Sequence, residues 1–274
     1  MDYQKVDNWQ KLGELKKLLD LSNPPKHLYF QGIWNSEIFK NCTGVVGSRK
    51  MTDYGARVVE KIVPQLISQN TTIVSGFMYG VDQYAHRVCV DQGGKTVAVL
   101  GCGIKQKLAG DDLKLAKKII ETGGLLLSEW EEQKGTLWTF PLRNRLVAAL
   151  CQEVIVVEAA EGSGSLITAR AAQRLQRVAW AVPGSILSRN SRGTNRLIAE
   201  GKAKIWLGET AVQLPLTRES DPILQILENE ALTTDELARK LKTEVAEIGA
   251  KLSLLLVSGQ IIEKGGKYYL ADVS

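Results

Sequence analysis

The sequence predicts an α/β protein: a doubly wound parallel sheet followed by a small winged-helix-like domain. Three observations carry that prediction. Between Thr43 and Leu207, short apolar runs alternate with segments of helical periodicity, as expected for parallel strands covered on both faces by crossover helices. Residues 208–220 are polar and contain proline, which marks a linker. Beyond them, three short helical patterns precede two strand-like runs parted by Gly265-Gly266, the element order of a winged helix-turn-helix.

The elements follow in order. Trp9 to Leu19 places Leu12, Leu15, Leu18 and Leu19 on one helical face, and Pro24-Pro25 ends the pattern. Leu28 to Gly32 reads as a short strand. Seven apolar runs then read as strands: Gly44–Val46, Thr71–Ser75, Thr96–Leu100, Leu125–Ser128, Val154–Val157, Val178–Val182 and Lys204–Leu207. The helices between them are Tyr54–Ser68, Asp82–Asp91, Leu113–Thr122, Arg143–Leu150, Leu166–Leu175 and Thr194–Glu200. The tail supplies helices at Ile223–Leu227, Thr234–Leu241 and Val245–Ser258, then strands at Gln260–Glu263 and Lys267–Leu270. The expected division is a lead-in (1–42), a sheet domain (43–207), a linker (208–220) and a winged-helix-like domain (221–274).

Composition narrows the function. Of 274 residues, 44% are apolar and 24% charged, which excludes wholesale disorder. No run approaches the roughly 18 apolar residues of a membrane span, and the charged N-terminus has no apolar signal core, so a cytoplasmic protein without a membrane partner is expected. Four scattered cysteines and two histidines argue against a zinc site. The net charge of +5 divides unevenly, +9 over residues 1–218 and −4 over 219–274. The larger part suits an anionic partner.

Open parallel sheets bind ligands beyond the carboxyl ends of their strands, where backbone N–H groups and helix N-termini favour anions. Four loops have that character: Gly44 to Arg49 (with Gly47 and Ser48), Ser75 to Asp82 (with Gly76), Glu158 to Ser165 (with Gly162, Ser163 and Gly164), and Pro183-Gly184-Ser185. The first lacks the Gly-x-Gly-x-x-Gly spacing and the acidic ribose ligand of a dinucleotide site, and no Walker lysine is present. Arg143 and Arg145 stand at the expected start of a helix, where the dipole disfavours cations, so they are expected to face a bound anion. His86 reads as a hydrogen-bonded structural residue, Asp82 as a helix N-cap, and Glu129, Glu131 and Glu132 as a solvated patch.

In series, Val45-Val46-Gly47-Ser48-Arg49, Ser75-Gly76 with Gly80-Val81-Asp82, Gly101-Cys102-Gly103, Leu127-Ser128-Glu129, Phe140-Pro141 with Arg143-Asn144-Arg145, Gly162-Ser163-Gly164-Ser165 through Thr168, and Pro183-Gly184-Ser185 resemble the DprA/Smf family. The resemblance spans roughly residues 24–207. It implies an extended Rossmann fold that binds single-stranded DNA, dimerises and loads the RecA recombinase during natural transformation, alongside single-stranded-DNA-binding protein. It implies neither a cofactor nor catalytic turnover. Carried over, the DNA contacts are Gly47, Ser48, Arg49, Gly76, Arg143, Asn144, Arg145, Gly162, Ser163, Gly164, Ser165, Thr168, Gly184 and Ser185. The family's Tyr-Pro-x-x-Asn element is replaced by Lys105 to Asp111. The alternative is a nucleotide-binding or nucleotide-cleaving enzyme of the same superfamily, whose Pro-Gly-Gly-x-Gly-Thr loop this chain lacks. A third reading, a duplex-binding regulator acting through the tail, is opposed by the tail's negative charge.

Overall fold

The computed structural model describes residues 2–208, 222–257 and 260–271; most of the expected linker and Ser258 lie outside them. Contacts divide the chain into two compact units, Met1–Gly208 and Glu209–Ser274.

The first unit is built on a nine-stranded sheet, β1 (Gln4–Lys5), β2 (Tyr29–Gln31), β3 (Cys42–Val46), β4 (Thr72–Ser75), β5 (Thr96–Val99), β6 (Leu125–Ser128), β7 (Glu153–Val156), β8 (Val178–Ala181) and β9 (Lys204–Ile205), in the spatial order β1-β2-β6-β5-β4-β3-β7-β8-β9. Strands β3 to β9 run parallel. The chain winds outward from β3 in one direction through β4, β5 and β6, then returns to pair β7 with β3 and continues the other way. The order therefore reverses between β3 and β7. The lead-in belongs to this unit: β2 pairs antiparallel with β6, and β1, which sequence periodicity missed, pairs antiparallel with β2.

The strands sort their side chains by alternation. Val46, Val74, Val97, Val154 and Val156 face one core with α4 (Thr139–Leu150), α5 (Ser165–Arg174) and the lead-in residues Trp9, Leu15 and Leu18. Val45, Ile73 and Ile155 face the other, with α1 (Asp53–Ser68) and α2 (Val81–Asp91). Ala98 and Leu126 pack against α3 (Gly110–Glu121), and α6 (Arg192–Ala199) precedes β9. The expected first helix is instead two 3₁₀ segments, Trp9–Lys11 and Gly13–Asp20. Leu12 adopts extended backbone (ψ 119°), and Gly13 weakens helix continuation at the same point.

The second unit has helices α7 (Pro222–Leu227), α8 (Thr234–Leu241) and α9 (Val245–Val257), then a hairpin of β10 (Ile261–Lys264) and β11 (Lys267–Leu270). Ile223, Leu224, Leu237, Ile248, Leu252, Leu255 and Ile261 form its core. Gly265 and Gly266 take φ of 64° and 77°, the left-handed backbone that a tight hairpin turn requires. Thr233 opens α8 through a capping box: its hydroxyl accepts from the Glu236 N–H, and the Glu236 carboxylate accepts from the Thr233 N–H at 2.8 Å. Thr233→Ala is expected to lower the stability of this unit by about 1 kcal/mol, with Thr233→Ser close to wild type, as read from urea titrations of the full chain.

Candidate functional site

Reversal of strand order leaves a crevice beyond the carboxyl ends of β3 and β7, because the helices that follow them depart to opposite faces of the sheet. A cleft of about 530 Å³ lies there. Its walls come from three of the four loops singled out in the sequence and from the first turns of α4.

After β3, the chain makes its closest approach to α2. A Cβ on Gly47 would sit 2.7 Å from the Val81 side chain, and one on Gly80 (φ 86°) would sit 2.3 Å from the Ser48 carbonyl. Gly80 is thus required both by its backbone angle and by space. Ser48 is buried, and its hydroxyl accepts from the Lys50 N–H at 3.0 Å. Arg49 is exposed, its guanidinium carbon 5.9 Å from the Tyr79 ring centroid and 5.7 Å from that of Phe140. Phe140 has its place because Gly101 lacks a side chain: a Cβ there would lie 2.3 Å from the ring.

Arg143 differs from expectation. Helix α4 starts at Thr139, so Arg143 lies a full turn inside it and is only 2% exposed. Its guanidinium donates to the carbonyl oxygens of Gly76 and Val99, and its Nε to Asn144 Oδ1 at 3.2 Å. Asp82 lies beside it, also buried. Burial pushes the Asp82 carboxyl up, opposed by Arg143 and by the N–H groups of Gly47 and Met78. Burial likewise lowers Arg143, to about 10, opposed by Asp82; it stays cationic at neutral pH. A side chain on Gly76 would collide with both, at 2.5 Å from Asp82 Oδ2 and 2.7 Å from the guanidinium. Arg143 is therefore the floor of the cleft rather than an exposed ligand. Asp82 is a buried carboxyl near it, and Gly80 occupies the N-cap position assigned to Asp82 from sequence.

Arg145 also departs from expectation. It is largely buried and paired with Glu129 at 2.6 Å, so neither belongs to a solvated surface. Of the other acidic residues of that patch, Glu131 and Glu132 are both bound by Lys105, at 2.9 and 2.7 Å. Lys105 belongs to the stretch that replaces the family's Tyr-Pro element.

Across the cleft, the loop from Glu161 to Ser165 leads into α5. Gly162 (φ 78°) and Gly164 face open space. The Ser163 and Ser165 hydroxyls are 2.8 Å apart, and Asn144 Nδ2 donates to the Gly164 carbonyl at 3.1 Å, which ties this loop to α4. Thr168 lines the wall but is buried. Gly184 and Ser185 lie outside the lining. The Asn195 side-chain amide brackets both backbone groups of Gly184, at 3.0 and 2.9 Å, and a Cβ on Gly184 would meet Ser191 Oγ at 2.1 Å. Met78 of the second loop also lines the cleft, and Lys50, Arg189 and Asn190 line it without having been marked in the sequence. Asn190 Nδ2 donates to the Lys50 carbonyl at 2.6 Å, closing the two loops together.

Glu158 sits at the rear, 2% exposed, accepting from the Thr52 N–H at 2.9 Å and the Thr52 hydroxyl at 2.6 Å. It thereby fixes the first turn of α1, and a Cβ on Gly55 would lie 2.4 Å from its Oε2. His86 is fully buried, its Nδ1 2.7 Å from Thr96 Oγ1. The Thr96 hydroxyl is within 2.7 Å of the Ile73 carbonyl as donor, which leaves it to accept from the histidine. No histidine or cysteine lines the cleft among the described residues.

Asp82→Ala would leave the N–H groups of Gly47 and Met78 without the buried carboxyl that accepts from them. The expected loss is about 1–3 kcal/mol, measurable by urea unfolding. His86 carries a pH signature. Burial lowers its pKa to about 3, from an ordinary value near 6.5, so the unfolded chain binds its proton first. Its contribution to stability is complete above about pH 6.5 and is lost as the pH falls towards 3, by up to about 1.4 kcal/mol per unit. His86→Gln should flatten that part of the wild-type stability profile between pH 6 and 4.

The comparisons with known proteins agree with this geometry. The sequence profile of the DNA recombination-mediator protein A family matches residues 9–214, and that of the DprA winged helix domain matches residues 209–267. The DNA processing protein DprA of Streptococcus pneumoniae is 38% identical over 194 residues, 70% of this chain and 67% of that protein. Its Bacillus subtilis counterpart is 34% identical over 192 residues, 70% of this chain and 65% of that protein. The matched region thus spans about two thirds of each relative. A crystal structure of the S. pneumoniae protein superimposes with a TM-score of 0.67, at 36% identity, over 75% of this chain and 71% of that one. A Helicobacter pylori structure, described by its single-stranded DNA binding mode, gives 0.66 at 29% identity, over 75% and 91%. With the family profile covering most of the chain and its motifs converging on one switch-point cleft, the chain belongs to the DNA recombination-mediator protein A (DprA) family.

Proposed function

We propose that this protein binds single-stranded DNA in the switch-point cleft, protects it, and loads the RecA recombinase onto it. On this reading it acts as a cytoplasmic homodimer alongside single-stranded-DNA-binding protein and turns over no substrate. The observation that carries the reading is a set of three exposed cations, Arg49, Lys50 and Arg189, around an anion-compatible loop cluster. No carboxylate lies within ion-pair distance of any of them among the described residues. The cluster offers charge and backbone but few side chains placed to read base edges, which fits a partner recognised by its phosphates. The single-stranded DNA binding described for the H. pylori relative supports the same choice.

The test is a fluorescence titration of an oligo-dT and its duplex over a salt series. Three or four phosphate contacts give a log–log slope of roughly −2 to −3 for the single strand. Equal affinity for the duplex, or a slope near zero, would refute the proposal.

The residues separate into two kinds. Arg49→Ala should weaken binding about 10- to 150-fold with an unchanged melting temperature. Arg143→Ala should lower both affinity and stability, because it removes the support beneath the loop. Release of a free base from nucleoside monophosphates would instead favour the nucleotide-cleaving alternative.

The second unit contributes little to this reading. Lys251 of α9 pairs with Glu247 at 2.8 Å, and the tail is net negative. Truncation after Leu216 should therefore retain most of the single-strand affinity, as measured in the same titration.

A further inference from the structure

The loop between β4 and α2 carries two aromatic residues with opposite fates. Phe77, at φ 58°, is 8% exposed and packs against His86, with ring centroids 5.9 Å apart. Tyr79, two residues on, is 59% exposed. The left-handed Phe77 and Gly80 hold the turn that throws Tyr79 outward, and Gln83 supports it by donating its backbone N–H to the Met78 carbonyl at 3.0 Å. An exposed ring on so constrained a loop gains nothing from the core. Among the described residues its cation–ring neighbour is Arg49, which also lies over the ring of the cleft-lining Phe140.

We propose that Tyr79, with Arg49 held beside it, is a base-stacking platform at the cleft mouth, and that it takes an unpaired base of the strand whose phosphates occupy the cleft. This inference rests on the single-strand reading above. Three physical points carry it. A ring face accepts any base, so stacking adds affinity without sequence preference. An arginine lying near ring faces keeps its in-plane N–H groups free for phosphate oxygens, so one residue can serve base and backbone together. A duplex keeps its bases stacked internally and cannot offer one to Tyr79 without unpairing it, so the platform would also discriminate against double strands.

The experiment compares an oligo-dT with an abasic chain of equal length and charge, on wild type, Tyr79→Ala and Tyr79→Phe. Wild type should prefer oligo-dT over the abasic chain, and Tyr79→Ala should lose about 5- to 150-fold on oligo-dT while binding the abasic chain as wild type does. Tyr79→Phe, which keeps the ring, should behave as wild type. The platform is refuted if Tyr79→Ala binds oligo-dT unchanged, or if it weakens equally on both chains, since an equal loss would report only a disturbed Arg49. Failure of wild type to bind either chain would overturn the single-strand reading and the platform together.

Discussion

The candidate site depends on one buried guanidinium, that of Arg143. Asp82 and Arg143 come from helices on opposite sides of the sheet and both approach Gly76. There Arg143 also takes the carbonyl oxygens that end β4 and β5. A buried guanidinium needs acceptors for its N–H groups, and this one has two carbonyl oxygens and the Asn144 side-chain oxygen. Gly76 has no side chain because the Asp82 and Arg143 side chains fill that space. This packing thus accounts for a glycine and for the shape of the cleft floor.

Around that floor several titratable side chains are engaged in structural contacts. Glu158 is held by Thr52, Glu129 by Arg145, and His86 is buried beside Thr96. The three cations at the rim have no such restraint. Among the described residues Glu158, Glu129 and His86 are committed to structure, while Arg49, Lys50 and Arg189 are in no ion pair. An uneven distribution also holds for net charge. The excess positive charge lies in the unit that carries the cleft, and the winged-helix unit is net negative. Its single α9 lysine is matched by a glutamate one turn away. A winged-helix fold does not by itself imply DNA contact.

Much was legible in the sequence because it is locally encoded. Strand–helix alternation follows from apolar periodicity, and the Gly265-Gly266 turn from backbone freedom. The loops with glycine and serine at strand ends announced a phosphate-compatible surface for the same reason. The interrupted helix at Leu12 was harder, since four well-spaced leucines outweighed one glycine.

The sequence by itself thus determined the fold class, the two-part organisation and the strand ends beyond which the cleft opens. The tertiary structure alone decided which arginine meets solvent. Arg49 and Arg143 look equivalent in a linear reading, yet one is exposed between two rings and the other 2% exposed over two carbonyl groups. Likewise only the folded chain pairs Arg145 with Glu129, brings Arg189 and Lys50 to the cleft, and keeps Gly184 and Ser185 out of it. The reason is physical. Local propensity depends on residues a few positions apart, whereas the environment of a charge depends on groups brought from far along the chain: Gly76 lies 67 residues from Arg143, and Lys50 lies 140 from Asn190.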